Sequence, residues 1–268
     1  MIKWFKANDK YGYVSKNNFY QEYLFIDTSF SMIVKTNSFG HRYSEYNSAN
    51  LQNKDIHKVL KLGDSFGFGY CLNIQDTFPI ILDSLLSVSS EKFMIINSSV
   101  DGWGTIQETK YARDHLNIFN PDVIVLTFCG NDPDDDKMYE NYLSDPIKRP
   151  FYFPGKIFIK ENLHVYRFIV KKYHIAAHIY QLKRKSKCVN LNKDNTFDRQ
   201  SASIISEDDW NKTLARILKF YHDFKKFNQK GIMLIQATAP WNNNIREHLK
   251  KYQITMTCIM EIYMKIQS

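Results

Sequence analysis

From residue 56 onward the apolar positions fall into two alternating regimes. Apolar runs with little polar interleaving, KVLKL (58–62), KFMIIN (92–97), PDVIVLTF (121–128) and GIMLIQATAPW (231–241), predict buried strands. Between them apolar residues recur at helical spacing, predicting helices over 74–87, over 105–119, and from about 206 to just before Gly231, where glycine can take a left-handed cap. Pro79 is tolerated because it falls near the start of its helix. Thr105-x-x-Glu108 and the run Ser206 to Asp209 read as helix-opening boxes. Strand and helix in alternation predict an α/β fold, a three-layer α/β/α sandwich with a mainly parallel sheet.

Elsewhere the pattern is weaker. Residues 1–55, rich in Tyr, Asn, Ser and Lys, read as an irregular lead-in with room for a short hairpin. From 133 to about 205 regularity lapses again, and DPDDDK, Pro146, Pro150 and a basic stretch mark an insertion or cap within a domain spanning 56–268. NNIREHLKKY (243–252) reads as a helix, and the apolar segment 253–268 is of undecided type.

Composition narrows the function classes. At 268 residues, 44% hydrophobic and 15% aromatic, the chain can bury one large core. Mean hydropathy is −0.42. No apolar run approaches the roughly 18 residues of a membrane helix, and the first twenty residues lack the apolar core of a signal peptide, so a soluble chain is expected. The net charge of +8 is concentrated in 164–187, where Arg167, Lys171, Lys172, Lys183, Arg184, Lys185 and Lys187 accompany apolar residues at helical spacing. That segment reads as a helix with a solvated basic face. Contact with an anionic membrane surface or polysaccharide is the weaker reading, and nucleic acid is not expected as a partner. Cys71, Cys129, Cys188 and Cys258 lie far apart without zinc-ligand spacing, so they read as reduced and structural, and no metal or organic cofactor is expected.

Candidate chemistry sits at the strand exits. In a parallel sheet the residues that follow each strand converge on one rim, where ligands bind. Here those residues are Gly63-Asp64-Ser65, then NSSVDGWGT (97–105), then CGNDPD (129–134). A serine hydroxyl exposed at such a turn suits an acyl-transfer nucleophile. Gly102 would let a backbone N–H approach an oxyanion, and Asn131 could donate a side-chain N–H to the same point. Two structural readings compete: an inert turn, and an Asp64 that merely caps the next helix. Gly63, Gly67 and Gly69 do not fit dinucleotide spacing.

GDSFGFGY (63–70) resembles the first block of the SGNH (GDSL-like) hydrolase family, NSSVDGWGTIQE (97–108) its second, and VLTFCGND (125–132) its third. TNSFGHRYSEY (36–46) is similar to an Asn-Ser-x-Gly-x-Arg lead-in found in one bacterial branch, whose members are often exported or membrane-tethered. The resemblance implies a flavodoxin-like three-layer fold and hydrolysis of an acyl or acetyl ester of a carbohydrate or lipid. It makes Ser65 the nucleophile, Gly102 a backbone oxyanion donor and Asn131 a side-chain oxyanion donor. It also implies a small-molecule or glycan ester as partner. The alternatives are an O-acyltransferase acting on a polysaccharide, or an inactive glycan- or lipid-binding member of the fold.

The pattern departs from the family in one respect: no Asp-x-x-His follows the last strand. The last aspartate is Asp223, and the one later histidine is His248, beside Glu247. A truncated chain, a substitute histidine (His248, or His164, His174 or His178 in the insertion), and a protein that binds without turnover each fit, and the general base is unassigned.

Overall fold

In the computed structural model, residues 4–25, 30–144, 207–237, 249 and 254–258 are described. The chain divides into two compact units, one formed by residues 1–143 with 206–268 and the other by 144–205. The basic stretch 164–187 and His164, His174, His178, Glu247 and His248 lie outside the described residues, as does nearly all of the second unit.

The first unit is built on a five-stranded sheet of β5 (Ile56–Leu62), β6 (Lys92–Asn97), β7 (Val123–Phe128), β8 (Ile232–Ala237) and β9 (Thr255–Cys258). Strand order is β6-β5-β7-β8-β9, and every pairing is parallel. The four strands read from sequence are all present. The apolar segment of undecided type supplies the fifth at 255–258. In β5 and β7 nearly every residue is buried, as expected for strands covered on both faces. The helices flanking the sheet include α3 (Phe78–Leu86), which packs on β6, and α4 (Thr105–Phe119), which packs on β5 and on α6 (Glu207–Phe227). This is the α/β architecture expected.

Three local expectations change. The lead-in is regular: β1 (Phe5–Asn8) pairs with β2 (Gly12–Ser15), β3 (Tyr20–Phe25) pairs with β4 (Phe30–Lys35), and α1 (Ser48–Gln52) follows. Tyr11, Tyr43, Tyr46 and Leu51 from this stretch join the same core as Leu60, Ile96, Trp103 and Leu126, so aromatic packing rather than periodicity orders it. DPDDDK, read as the start of an irregular insertion, instead opens α5 (Asp132–Ser144), with three aspartates in the first turn, where the helix dipole favours them. The helix read as opening at a Thr105 cap has Gly104 as its N-cap. Gln107 Oε1 accepts the Gly104 N–H at 3.3 Å, which leaves Glu108 free to turn inward. Ser206 lies outside the described residues; α2 (Ser65–Phe68) completes the helices used below.

Candidate active site

The register fixes where the candidate residues emerge. Lys61 of β5 is level with Asn97 of β6, and Leu62 of β5 with Leu126 of β7, so the three strands end on one edge. Past that edge β5 runs into Gly63-Asp64-Ser65. Asp64 is the N-cap of α2: its carboxylate accepts the Phe66 N–H at 3.0 Å and the Ser65 hydroxyl at 3.3 Å. The capping role and the neighbour-of-serine role are therefore held by one side chain. Ser65 is half-buried, and Asp64 is the hydroxyl's one hydrogen-bond partner among the described residues.

Two devices hold this turn. A Cβ on Gly67 would overlap the Ser99 side chain, so α2 lies directly against the loop that follows β6. Arg42, the arginine of the lead-in motif, is buried and donates to the carbonyls of Phe68 (3.1 Å), Gly69, Leu72 (2.7 Å) and Ile33 (2.8 Å). Three of them, those of Phe68, Gly69 and Leu72, lie at and beyond the C-terminal end of α2, where a cation is favoured and orphan acceptors need donors, and the fourth is on β4. Asn37 shapes the lead-in loop by accepting the N–H groups of Phe39 and His41, both at 3.0 Å. Arg42 thus acts on the serine turn by clamping its far end.

The second loop runs beside the first. Ser98 N–H donates to Lys61 O and Val100 N–H to Gly63 O, both at 2.9 Å, which carries the β5–β6 alignment past the strand ends. Gly102 follows, exposed and at φ 77°, a left-handed conformation that glycine adopts without penalty. Its carbonyl and that of Asp101 share the Tyr13 hydroxyl, so β2 supports this loop from outside the sheet. The third loop is tied to the first by the Cys129 thiol, which donates to Asp64 Oδ1 at 3.1 Å. Asn131 is exposed and gives one Nδ2 hydrogen to Asp135 Oδ2 at 2.7 Å, leaving the second N–H. The structure thus sets Ser65, Gly102 and Asn131 on three loops at one rim, with ties between the loops and no hydrogen bond directly among the three.

The charge of the first loop reaches the other two. Burial, then the charges of Asp64 and Asp135, push the Asp101 carboxyl up to about 6. Burial also raises Asp135 to about 6; the Asn131 hydrogen bond opposes this shift and Asp64 adds to it. The charge of Asp64, beside Ser65, thus disfavours ionisation of Asp101, beside Gly102, and of Asp135, beside Asn131.

A second polar layer lies beneath. Lys61 is fully buried, and burial pulls its ammonium down to about 8 even though Glu108, Asp64 and Asp132 hold it up. It donates to Leu62 O at 2.8 Å and to Thr127 Oγ1. Glu108, Asp132 and Asp136 are also buried, and burial raises all three carboxyls, Asp136 to about 6. Asp136 is paired with Arg216 at 2.9 Å. Sequence reasoning missed this layer. Its one legible sign was the density of charge at strand exits and helix starts, which usually marks solvated ends.

Three of the four described histidines have other tasks. His41 is buried between the hydroxyls of Tyr46 (3.0 Å) and Tyr111 (2.9 Å), and burial lowers its imidazole to about 3. His57 faces Glu91 at 3.7 Å, and His115 stacks on Tyr111. Cys71 is exposed and Cys129 buried; Cys188 lies outside the described residues. No described helix is long and apolar enough to cross a membrane.

No family model matches the chain, and no curated protein does. Among solved structures, AlinE4, an SGNH-hydrolase family esterase, is 14% identical, with 77% of each chain covered and a TM-score of 0.40. A Clostridium thermocellum family 3 carbohydrate esterase is 10% identical over 77% of this chain and 79% of its own, with a TM-score of 0.36. A GDSL-like lipase from Bacteroides thetaiotaomicron is 9% identical over 81% of this chain and 72% of its own, with a TM-score of 0.35. The chain is thus similar, at low identity, to SGNH-hydrolase esterases and GDSL-like lipases of known structure.

Proposed function

We propose that this protein hydrolyses an ester, an acyl or acetyl group carried by a carbohydrate or lipid, through an acyl-enzyme at Ser65. Ser65 Oγ attacks the acyl carbonyl, and the N–H groups of Ser65 and Gly102 with the second amide N–H of Asn131 hold the oxyanion. The alcohol leaves with a proton, and water then releases the acyl group and restores the hydroxyl. Among the described residues, the acceptor within hydrogen-bond reach of the Ser65 proton is Asp64 Oδ2.

The observation that carries the reading is the position of Ser65. It is a half-buried hydroxyl on the first residue after a capping aspartate, at the exit of an inner strand, with the loops of Gly102 and Asn131 on either side. The three motif blocks fall at the exits of three adjacent parallel strands, and this supports the same reading. The test is steady-state hydrolysis of nitrophenyl acetate and of acetylated oligosaccharides. Ser65→Ala is expected to lower turnover at least about 100-fold, leaving only the residual rate that an oxyanion hole and binding sustain. Equal rates in wild type and Ser65→Ala would remove the proposal.

A further inference from the structure

The layer beneath the serine turn holds a group that the spacing of the sequence did not suggest. The thiol of Cys129 and one carboxylate oxygen each from Asp64 and Asp132 all lie within 4.8 Å of one another, and all three residues are buried. The loop after β7 is folded back on itself to make this possible: Asp132 N–H donates to Cys129 O, and Cys129 N–H donates to Asp132 Oδ2, both at 3.1 Å. That leaves Asp132 Oδ1 buried with no hydrogen-bond partner among the described residues. Glu108, 1% exposed on α4, likewise has no hydrogen-bond partner for either carboxylate oxygen among the described residues.

Buried carboxylates can be neutralised by protons or by a cation. A proton turns each acid into an O–H donor that itself needs an acceptor, whereas Asp132 Oδ1 and both Glu108 oxygens make no hydrogen bond among the described residues. The buried ammonium of Lys61 donates to Leu62 O and Thr127 Oγ1. A cation satisfies the bare lone pairs directly. One thiolate with two or three carboxylate oxygens is a donor set for a borderline divalent ion of the zinc type, whose ligand atoms stand roughly 3.3 to 3.6 Å apart in a tetrahedron. The Asp64 to Cys129 separation of 3.1 Å is close to that spacing. Binding would displace the thiol proton to solvent.

We infer that Asp64, Cys129 and Asp132 form a buried binding site for a divalent transition-metal ion under the serine turn, with the unpartnered carboxylate of Glu108 adding negative charge to its surroundings. The site shares Asp64 with the proposed hydrolase centre through different oxygens: Oδ1 faces Cys129 and Oδ2 faces Ser65. A metal there would hold the first and third loops together.

The test uses the full chain. Purified protein dialysed against micromolar Zn²⁺ and then buffer is expected to retain about one equivalent by elemental analysis. Co²⁺ in its place is expected to give a thiolate-to-cobalt charge-transfer band that persists in Cys71→Ser and Ser65→Ala and disappears in Cys129→Ser. Glu108→Gln and Asp132→Asn, checked for an unchanged circular dichroism spectrum, are expected to weaken Zn²⁺ binding at least tenfold, and they decide the matter should Cys129→Ser fold poorly. Failure of the wild type to retain stoichiometric Zn²⁺, a band unchanged by Cys129→Ser, or affinity unchanged in both carboxylate variants would each overturn the inference. Retention of the band in Ser65→Ala separates this outcome from any failure of the hydrolase proposal.

Discussion

The carboxylate of Asp64 joins the cap of α2 to the hydroxyl of Ser65: one oxygen accepts the Phe66 N–H at 3.0 Å, the other the Ser65 Oγ at 3.3 Å. The two functions separate chemically. Asp64→Asn keeps a cap acceptor, so stability by urea denaturation should change by less than about 1 kcal/mol, while ester turnover falls because the carboxylate beside Ser65 is gone. Asp64→Ala removes both, and should also lose roughly 0.5 to 2 kcal/mol of stability through the lost cap. Unchanged turnover in Asp64→Asn would take Asp64 out of the mechanism.

Gly102 and Tyr13 should show coupled effects. A Cβ on Gly102 would sit 2.7 Å from the Tyr13 hydroxyl oxygen, at a φ of 77° that other residues adopt with strain. Gly102→Ala is therefore expected to cost about 1 to 3 kcal/mol and to depress turnover. In a Tyr13→Phe background the clash is relieved and only the backbone strain remains, so the double mutant should be more stable than the sum of the single losses, measured by denaturant cycles.

The rim aspartates set one pH dependence. Their folded values of about 6 lie above the ordinary value of 3.8, so the folded protein binds more protons than the unfolded chain between those limits. Stability from these groups is greatest below pH 4, falls as pH rises through 4 to 6, and is flat above. Asp101→Asn should raise stability at pH 7.5, by of order 1 to 2 kcal/mol, and leave pH 4 nearly unchanged. Thermal melts at the two pH values check this; equal effects at both would contradict it.

His41 works in the opposite direction. Its folded value, about 3, lies below the ordinary 6.5, so the stability it contributes is complete above pH 6.5 and is lost as pH falls toward 3. His41→Gln, which keeps polar atoms between Tyr46 and Tyr111, should flatten the acid limb of the stability curve even if it costs stability at pH 7. An unaltered acid limb would mean that His41 charges freely in the fold.

What the sequence disclosed, it disclosed through periodicity. The uninterrupted run at 123–128 specified an inner parallel strand, and the exits of three such strands located Ser65, Gly102 and Asn131 on one rim. Periodicity is blind to the hairpins of residues 5–35, which owe their order to rings such as Tyr11 and Tyr13 packing on distant partners. It is equally blind to the inward turn of Glu108 and Asp132: acidic residues at a helix start look solvated until a neighbouring loop covers them. Arg42 was legible only as part of a motif; its task, joining the end of α2 to β4 through four carbonyls, depends on residues 9 to 30 positions away in sequence.

The account rests on Ser65 as the nucleophile, and covalent labelling tests it most directly. After incubation with a fluorophosphonate, peptide mass spectrometry should find one phosphonyl adduct, on Ser65, and Ser65→Ala of unchanged fold should carry none. A wild-type protein that stays unlabelled while it hydrolyses esters, or an adduct that persists in Ser65→Ala, would contradict it.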